Sequence, residues 1–179
     1  MLLYVPIAVA VIVVLFVIVV VLRPADFHIT RSDTISASPA TVFEQVNDLH
    51  QWQEWSPWAK LDPAAKNSFA GSPAGIGAAF SWSGNNEAGE GTMTITESRP
   101  SDLVRFRLEF RRPFKGTNIA EFTFQPRGDQ TVVTWSMSGT NGFIGKALGL
   151  IMNCDKMVGG QFEKGLANLN SVVQATGKK

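Results

Sequence analysis

The chain begins with a continuous apolar block and then changes to patterned segments. Residues 1–22 carry no charged side chain and consist almost entirely of Val, Ile, Leu, Ala and Phe. As a helix, this block would be about 33 Å long, which matches the hydrocarbon thickness of a bilayer. Because the block is apolar on every face, it does not resemble the core helix of a soluble domain. The pattern therefore predicts a single N-terminal transmembrane helix.

A cleaved signal peptide is the alternative interpretation of this block. The block has no basic residues before the apolar run, and the run is longer than a usual signal-peptide core. The best small-residue cleavage position, after Ala25, would place Arg23 at the −3 position. These features favour a single-pass anchor. Arg23 and Arg31 follow the span, and the positive-inside bias then places the folded domain on the cytoplasmic side.

The rest of the chain alternates between strand and helix patterns. A strand over 27–35 is followed by a helix that begins at Pro39, after the N-cap Ser38, and residues 60–77 form a polar connection rich in Ala, Pro and Gly. From residue 78 onward, apolar side chains occupy every second position in five segments, near 78–82, 91–97, 103–111, 120–124 and 133–137. This pattern predicts a meander of antiparallel strands with one apolar face.

The C-terminal segment, residues 143–174, returns to helical spacing. Its apolar stripe consists of Ile144, Leu148, Ile151, Val158, Phe162, Leu166, Leu169 and Val173. Five glycines each cost up to about 1 kcal/mol in a free helix, so close packing or a kink is expected. The order of elements predicts an α+β fold in which one long helix lies across the concave face of a curved antiparallel sheet.

Five stretches of the chain, taken in order, resemble a known family. They are ISASPATVF (35–43), WQEWSPW (52–58), GEGTM (89–93), GDQTVVTW (128–135) and DKMVGGQFEKGL (155–166). They are similar to the START-like, Bet v 1-like superfamily (SRPBCC), in the bacterial branch called polyketide cyclase/dehydrase and lipid transport. The resemblance implies a helix-grip fold with a cavity for apolar ligands between the sheet and the C-terminal helix. It implies no single activity, because the superfamily includes binders, transfer proteins, cyclases and hydrolases.

The resemblance covers residues 27–174 and sets the expected domain organisation. We expect an anchor over 1–22, a short linker over 23–26, the helix-grip domain over 27–174 and a tail over 175–179. Pro24 stiffens the linker, and four extended residues hold the domain within about 14 Å of the bilayer. So short a tether predicts capture or presentation of a ligand at one membrane.

The composition excludes several classes of function. Sixteen Lys+Arg against 15 Asp+Glu give a net charge of +1, which offers no electrostatic basis for binding nucleic acid. The single cysteine, Cys154, excludes an internal disulfide, and two histidines leave little material for a metal site. No cofactor is predicted. The sequence also has no nucleophile elbow and no Cys-His motif, which favours binding over catalysis.

Asp155 is the candidate catalytic carboxylate. It falls on the helical apolar stripe, which would direct it toward the cavity, where desolvation would raise its pKa. The alternative is a structural carboxylate that reaches an Arg, a sheet hydroxyl or solvent. Besides Asp155, the side chains predicted to line the cavity are Trp55, Trp58, Phe80, Trp82, Phe106, Phe122, Trp135, Met137, Ile151 and Phe162. Trp82 and Trp135 stand out because an indole N–H that faces a pocket can orient a bound polar group.

Three hypotheses for the function follow. The first is a membrane-anchored domain that binds a hydrophobic small molecule or lipid without turning it over. The second is a cyclase or dehydratase that uses Asp155 as a general acid or base. The third is an interaction module with a filled core. The basic segment 111–115 is interpreted as a solvated turn, with contact to anionic lipid as the alternative.

Overall fold

The computed structural model describes residues 4–176, in which the chain forms five α-helices and seven β-strands. In chain order these are α1 (Tyr4–Leu22), β1 (Asp26–Ile35), α2 (Pro39–Asn47), α3 (Leu49–Trp55), β2 (Lys66–Ala70), β3 (Ala79–Ser83), β4 (Glu90–Arg99), β5 (Leu103–Arg112), β6 (Gly116–Arg127), β7 (Gln130–Thr140), α4 (Phe143–Ile151) and α5 (Cys154–Thr176). Residues 1–3 of the predicted anchor and 177–179 of the predicted tail lie outside the described residues.

Helix α1 is long and apolar enough to cross a membrane. A signal sequence near an N-terminus has the same length and composition, so the helix alone does not distinguish the two. Val20 is its one fully buried residue among those described, and the other side chains are exposed. Strand β1 begins at Asp26, the last residue of the predicted linker, so three residues separate α1 from the sheet.

The seven strands form one antiparallel sheet in the order β1-β7-β6-β5-β4-β3-β2. The meander from β3 to β7 follows the period-two pattern of the sequence, and this prediction is confirmed. Strand β2 is different, because it lies within the region 60–77 that the composition predicts to be a connection. All five of its residues are exposed and it pairs only with β3, so no apolar alternation marks it.

The C-terminal segment is two helices, and the expectation of one continuous helix from residue 143 is wrong at one point. Met152 has an extended backbone (φ −113°, ψ 132°) that ends α4, and the side chain of Asn153 accepts a hydrogen bond from the Lys156 N–H at 2.9 Å at the start of α5. The apolar stripe therefore does not continue across the break. No residue of α4 is fully buried, whereas Phe162, Leu166 and Leu169 of α5 are buried against the sheet.

Two glycines of α5 let the helix approach the sheet closely. A Cβ at Gly159 would lie 2.1 Å from an Nη of Arg31 on β1, and a Cβ at Gly165 would lie 2.7 Å from Cζ3 of Trp135 on β7. Close packing of this kind offsets the low helix propensity of glycine. The helix-grip arrangement predicted from the sequence is confirmed: a curved antiparallel sheet packs around α5, with α2 and α3 completing the core.

Candidate functional site

A cavity of about 330 Å³ lies between the sheet, α3 and the first turns of α5. This volume is at the lower end of the range for small-molecule sites. Apolar side chains from the sheet form much of the wall on that side: Phe80, Trp82, Met93, Leu108, Phe110, Ala120, Trp135 and Met137. Trp52 and Trp58 contribute from the α3 region, and Val158 and Phe162 contribute from α5. The cavity therefore suits a compact ligand with a largely apolar body.

Six of the residues predicted from the sequence lie in this wall: Trp58, Phe80, Trp82, Trp135, Met137 and Phe162. Their contact with a ligand remains a prediction. Trp55, Phe106 and Phe122 are fully buried but lie outside the wall. Trp52, which lies in the wall, packs on Phe106 and Phe122, with its ring centroid 5.3 and 5.6 Å from theirs. These three residues form part of the packed core.

Ile151 and Asp155 do not face the cavity, and the sequence-based placement of both is wrong. Ile151 is the last residue of α4, just before the break at Met152, and its side chain is 83% exposed. Asp155 lies in the first turn of α5, where the helix passes the edge strand β1. There its Oδ2 accepts a hydrogen bond from an Nη of Arg31 at 3.0 Å, and the side chain is largely exposed. The carboxylate thus meets a cation at the sheet edge.

The same arginine sets the ionisation of Asp155. The hydrogen bond from Arg31 is the main influence on the Asp155 carboxyl, and it holds the pKa of that group below its ordinary value, with desolvation opposing it and the positive charge of Arg31 adding to it. The helical stripe predicted instead that desolvation would raise this pKa. That prediction is wrong because the carboxylate is outside the cavity and paired.

Sequence reasoning did not select several wall residues, among them Trp52, Met93, Leu108, Ala120 and Val158. The alternation within β4, β5 and β6 places Met93, Leu108 and Ala120 on apolar faces, and the aromatic run contains Trp52. Nothing in those patterns indicates where along each strand the helices cover the sheet completely and where they leave a space. The alternation of side chains along a strand identifies which face of the sheet each residue occupies. Which residues of that face border an open space depends on how the helices pack against the sheet.

Two residues of the wall carry unpaired hydrogen-bond donors. Nε1 of Trp135 and Nε2 of Gln53 are buried and have no hydrogen-bond partner among the described residues, and Trp135 is only 2% exposed. Both side chains lie in the wall of the same cavity. A buried donor that lacks a partner costs about 1–3 kcal/mol. An acceptor on a bound molecule that reached either donor would offset that cost, and we term these two donors the polar pole of the cavity.

Trp82 does not share this property. The Trp82 Nε1 donates a hydrogen bond to the carbonyl of Ala88 at 3.0 Å. Gly91 leaves room for the Trp82 ring, because a Cβ at position 91 would lie 2.6 Å from Cζ2 and Cη2 of that ring. Of the two tryptophans singled out from the sequence, Trp82 therefore has an occupied donor. Trp135 retains a free one among the described residues.

The ionisable side chains in the described part of the wall are Asp62, Glu87 and Arg112, and none of them is fully buried. Asp62 accepts hydrogen bonds from the N–H groups of Ala64 (3.0 Å) and Asn85 (2.7 Å), which joins two loops. Arg112 donates to Glu90 at 3.0 Å. Hydrogen bonds from Arg111 and Arg112 lower the pKa of the Glu90 carboxyl. The charges around the cavity are thus placed at its outer edge, and its interior is neutral.

Comparison with known proteins places these features in a family. The sequence matches a family model described as "Polyketide cyclase / dehydrase and lipid transport" over residues 26–174. No curated protein matches the chain at a significant level.

Solved structures share the fold at low sequence identity. A protein of Chromobacterium violaceum is 15% identical with a TM-score of 0.60, over 82% of this chain and 96% of that one. Ara h 8.0201 is 13% identical with a TM-score of 0.57, over 84% and 99% of the two chains. DynU16, from the dynemicin biosynthetic locus, is 14% identical with a TM-score of 0.58, over 82% of this chain and 47% of that one. At these identities the likeness concerns the fold alone.

Proposed function

The chain belongs to the polyketide cyclase/dehydrase and lipid transport family, and we propose that it binds an apolar small molecule or lipid in its cavity without turning it over. The family fold, that of the START-like and Bet v 1-like proteins, holds hydrophobic ligands in this position. The proposal rests above all on one observation: the wall of the 330 Å³ cavity is mainly apolar, and its buried polar atoms include the unpaired Nε1 of Trp135 and Nε2 of Gln53.

This arrangement favours one class of ligand. A compact hydrocarbon or aromatic body would contact Phe80, Met93 and Met137, and an oxygen acceptor would receive a hydrogen bond from one of the two donors of the polar pole. A carbonyl, ester or hydroxyl oxygen meets that requirement. The ligand needs no charge, because the wall offers no buried ionisable partner among the described residues.

The two competing hypotheses receive less support. A cyclase or dehydratase that relies on Asp155 requires that carboxylate beside the substrate, whereas Asp155 pairs with Arg31 outside the cavity. Asp62 accepts two backbone hydrogen bonds, which favours a structural role. A filled-core interaction module is disfavoured by an internal space large enough for a small molecule.

We also propose that α1 holds the domain at a membrane, with residues 1–22 as a single-pass anchor. The described part of this segment supplies 19 helical residues with a mean hydropathy of 3.5 over an 18-residue window. Three residues then lead into β1, which suits action at one membrane. The positive-inside bias of Arg23 and Arg31 supports a cytoplasmic domain.

A cavity-filling variant tests the binding proposal. In Ala120→Phe, a ring would occupy the cavity from β6, whereas Ala167→Phe adds the same ring to an exposed position on α5. Full-length protein in nanodiscs is titrated with acetylnaphthalene, an aromatic body with one carbonyl. Wild type and Ala167→Phe should bind it saturably, and Ala120→Phe, at comparable thermal stability, should not. Equal binding by all three proteins would refute the cavity as the site.

A further inference from the structure

The register of the sheet places the exit of α1 and the cavity at the same end of the domain. Asp26 at the start of β1 pairs with Thr140 at the end of β7. The start of β6 lies at the same end of the sheet, because Asn118 pairs with Gly139 of β7. The end of β5 and the start of β4 also lie there, where Arg112 pairs with Glu90. The β3–β4 and β5–β6 turns therefore lie at the end where the chain leaves α1.

Those two turns border the opening of the cavity. The exposed members of the cavity wall are Trp58, Asn67, Glu87, Arg112 and Pro113, which we term the mouth. Three of the five belong to the β3–β4 turn or to the end of β5 and the turn that follows it. Buried wall residues such as Phe80 and Ala120 lie farther inside. The cavity thus opens at the end of the domain that carries α1.

Helix α4 lies at this end, and the apolar side chains at both of its ends are exposed, whereas those between them are half-buried. It follows β7 directly, and its Phe143 and Ile144 are 49% and 56% exposed. Ile151 at its other end is more exposed still. Lys146 is the only charged residue in Phe143–Ile151, so the helix contains no acidic residue. Exposed apolar side chains with a basic residue among them suit contact with the interface between lipid headgroups and acyl chains.

Contacts with α1 fix the position of α4. The Lys146 ammonium donates a hydrogen bond to the carbonyl of Val21 at 2.7 Å, and the two helices are in contact near the buried Val20. The N–H of Asn141 donates to the carbonyl of Ala25 at 2.8 Å. Val20 and Val21 belong to the apolar span. Helix α4 therefore lies beside the end of that span, and the apolar surfaces of the two helices adjoin.

We propose that α4 and the β5–β6 turn dock on the bilayer that α1 enters, so that the mouth of the cavity faces the lipid. The docking rim consists of Phe114, Phe143, Ile144 and Ile151. The inference rests on the proposed function, in that α1 must be a retained anchor and the cavity must bind an apolar ligand. A ligand would then pass between the bilayer and the cavity with little exposure to water.

The β5–β6 turn suits this position. Phe114 is 53% exposed at its tip and is followed by Lys115, whose ammonium can reach the headgroups while the ring contacts acyl chains. Arg111 and Arg112, beside it, are paired with Glu90. Contact with lipid thereby replaces the solvated-turn interpretation of segment 111–115.

Site-directed spin labelling of the full-length protein tests the docking. In a Cys154→Ser background, nitroxides are placed by Phe114→Cys, Ile144→Cys or Ile151→Cys. Asp129→Cys, in the β6–β7 turn at the opposite end of the sheet, is the matched control. The protein is reconstituted in vesicles of phosphatidylcholine and phosphatidylglycerol. The ratio of collision rates with oxygen and with a water-soluble nickel chelate should be several-fold higher at the three rim positions than at 129. Equal ratios would overturn the inference.

Two further readouts complete the test. Replacing both exposed isoleucines, in Ile144→Asp/Ile151→Asp, should lower the ratio at position 114 to that of position 129, because the rim docks as a unit. Dipolar coupling between Ile151→Cys labels of different chains would show that a second copy covers the face, which would also overturn the inference. Binding of acetylnaphthalene is measured on the same samples. If the wild-type protein does not bind acetylnaphthalene, the proposed function is refuted. If it binds acetylnaphthalene but the rim positions are exposed to water, only the docking is refuted.

Discussion

The indole ring of Trp135 stacks face to face on the phenyl ring of Phe162, with ring centroids 4.2 Å apart and ring planes 9° apart. The pair joins β7 to α5 in the wall of the cavity. Gly165, one turn farther along α5, lets the indole approach the helix backbone. Because these contacts hold the ring in place, the direction of its unpaired N–H is fixed before any ligand binds.

Trp135→Phe should separate the polar and apolar parts of ligand binding. Phenylalanine keeps a ring against Phe162 and removes the N–H. We expect affinity for acetylnaphthalene to fall about two- to tenfold, as for the loss of a hydrogen bond worth ~0.5–1.5 kcal/mol. Affinity for ethylnaphthalene, which lacks the carbonyl, should change much less. Calorimetric titration of both compounds measures the difference.

Trp82→Phe is the matched control for that substitution. Trp82 lies in the same wall, but its N–H is already bonded to the carbonyl of Ala88. We expect a stability loss of about 1 kcal/mol with no change in the ratio of the two affinities. If Trp135→Phe weakens both compounds equally, or Trp82→Phe alters their ratio, Trp135 does not orient the ligand.

Two glycines of α5 should respond to alanine in opposite directions. A Cβ at Gly165 would lie 2.7 Å from Trp135 and 3.2 Å from Pro57, so Gly165→Ala should destabilise the domain by about 1–3 kcal/mol. A Cβ at Gly160 meets nothing within 4 Å, so Gly160→Ala should stabilise it by up to about 1 kcal/mol through helix propensity. Urea unfolding of both variants measures the free energies. Equal effects would contradict the close contact of α5 with β7.

Acid titration should reveal the pairing of Arg31 with Asp155. The folded state lowers the pKa of this carboxyl. The pair therefore stabilises the fold fully when the pH is above the ordinary pKa of 3.8, and this contribution is lost as the pH falls through the lowered pKa. The free energy of unfolding of Asp155→Asn should therefore be below that of wild type at neutral pH and converge with it in acid. NMR titration of the carboxyl carbon measures the pKa directly.

Arg31→Gln provides the corresponding control. Removing the guanidinium should return the pKa of Asp155 toward its ordinary value. Glu163, the second partner of Arg31 at 2.7 Å, remains in this variant. A raised pKa for Asp155 in wild type would contradict the surface pairing and favour the desolvated carboxylate expected from the sequence.

Removing residues 1–22 should release the domain from the membrane without unfolding it. The main hydrophobic core draws on residues 29–173 and includes none from the described part of α1. We expect the melting temperature to fall by less than about 5 °C, for the lost contacts of Val20 and Lys146. The truncated protein should be extracted from membranes at alkaline pH, whereas the full-length protein should not. Aggregation of the truncated protein would show that α1 belongs to the domain core.

The sequence predicts the fold well because its patterns are local. Alternation in β5 and β7 marks strands, and the Ser38-Pro39 pair marks the start of a helix with Ser38 as its N-cap. Strand β2 carries no such pattern, because an edge strand with five exposed residues gains nothing from an apolar face. The five glycines of the C-terminal segment predict close packing or a kink, but the apolar spacing continues through both helices and does not locate the break at Met152.

The site is harder to predict, because a cavity is the part of the interior that packing leaves open. Trp135 and Phe122 are partners on neighbouring strands, yet only Trp135 lines the cavity. Trp52 of α3 packs against the rings of Phe122 and Trp135, with centroid distances of 5.6 and 5.5 Å, so strand register alone does not predict which of them lines the cavity. Asp155 shows the same limit: its helical phase matches that of Phe162, but it lies two turns earlier, at the sheet edge where Arg31 binds it.

Methyl NMR of the protein with acetylnaphthalene tests the central claim most directly, because it locates the bound molecule. The methyl groups of Met93, Leu108, Met137 and Val158 line the cavity, whereas those of Ile35, Leu103 and Val133 lie in the core outside its wall. We predict intermolecular nuclear Overhauser effects from the ligand to the first group, with saturable shifts, and none to the second. Effects confined to Ile144, Leu148 and Ile151 of α4, or none at all, would contradict a ligand-binding cavity.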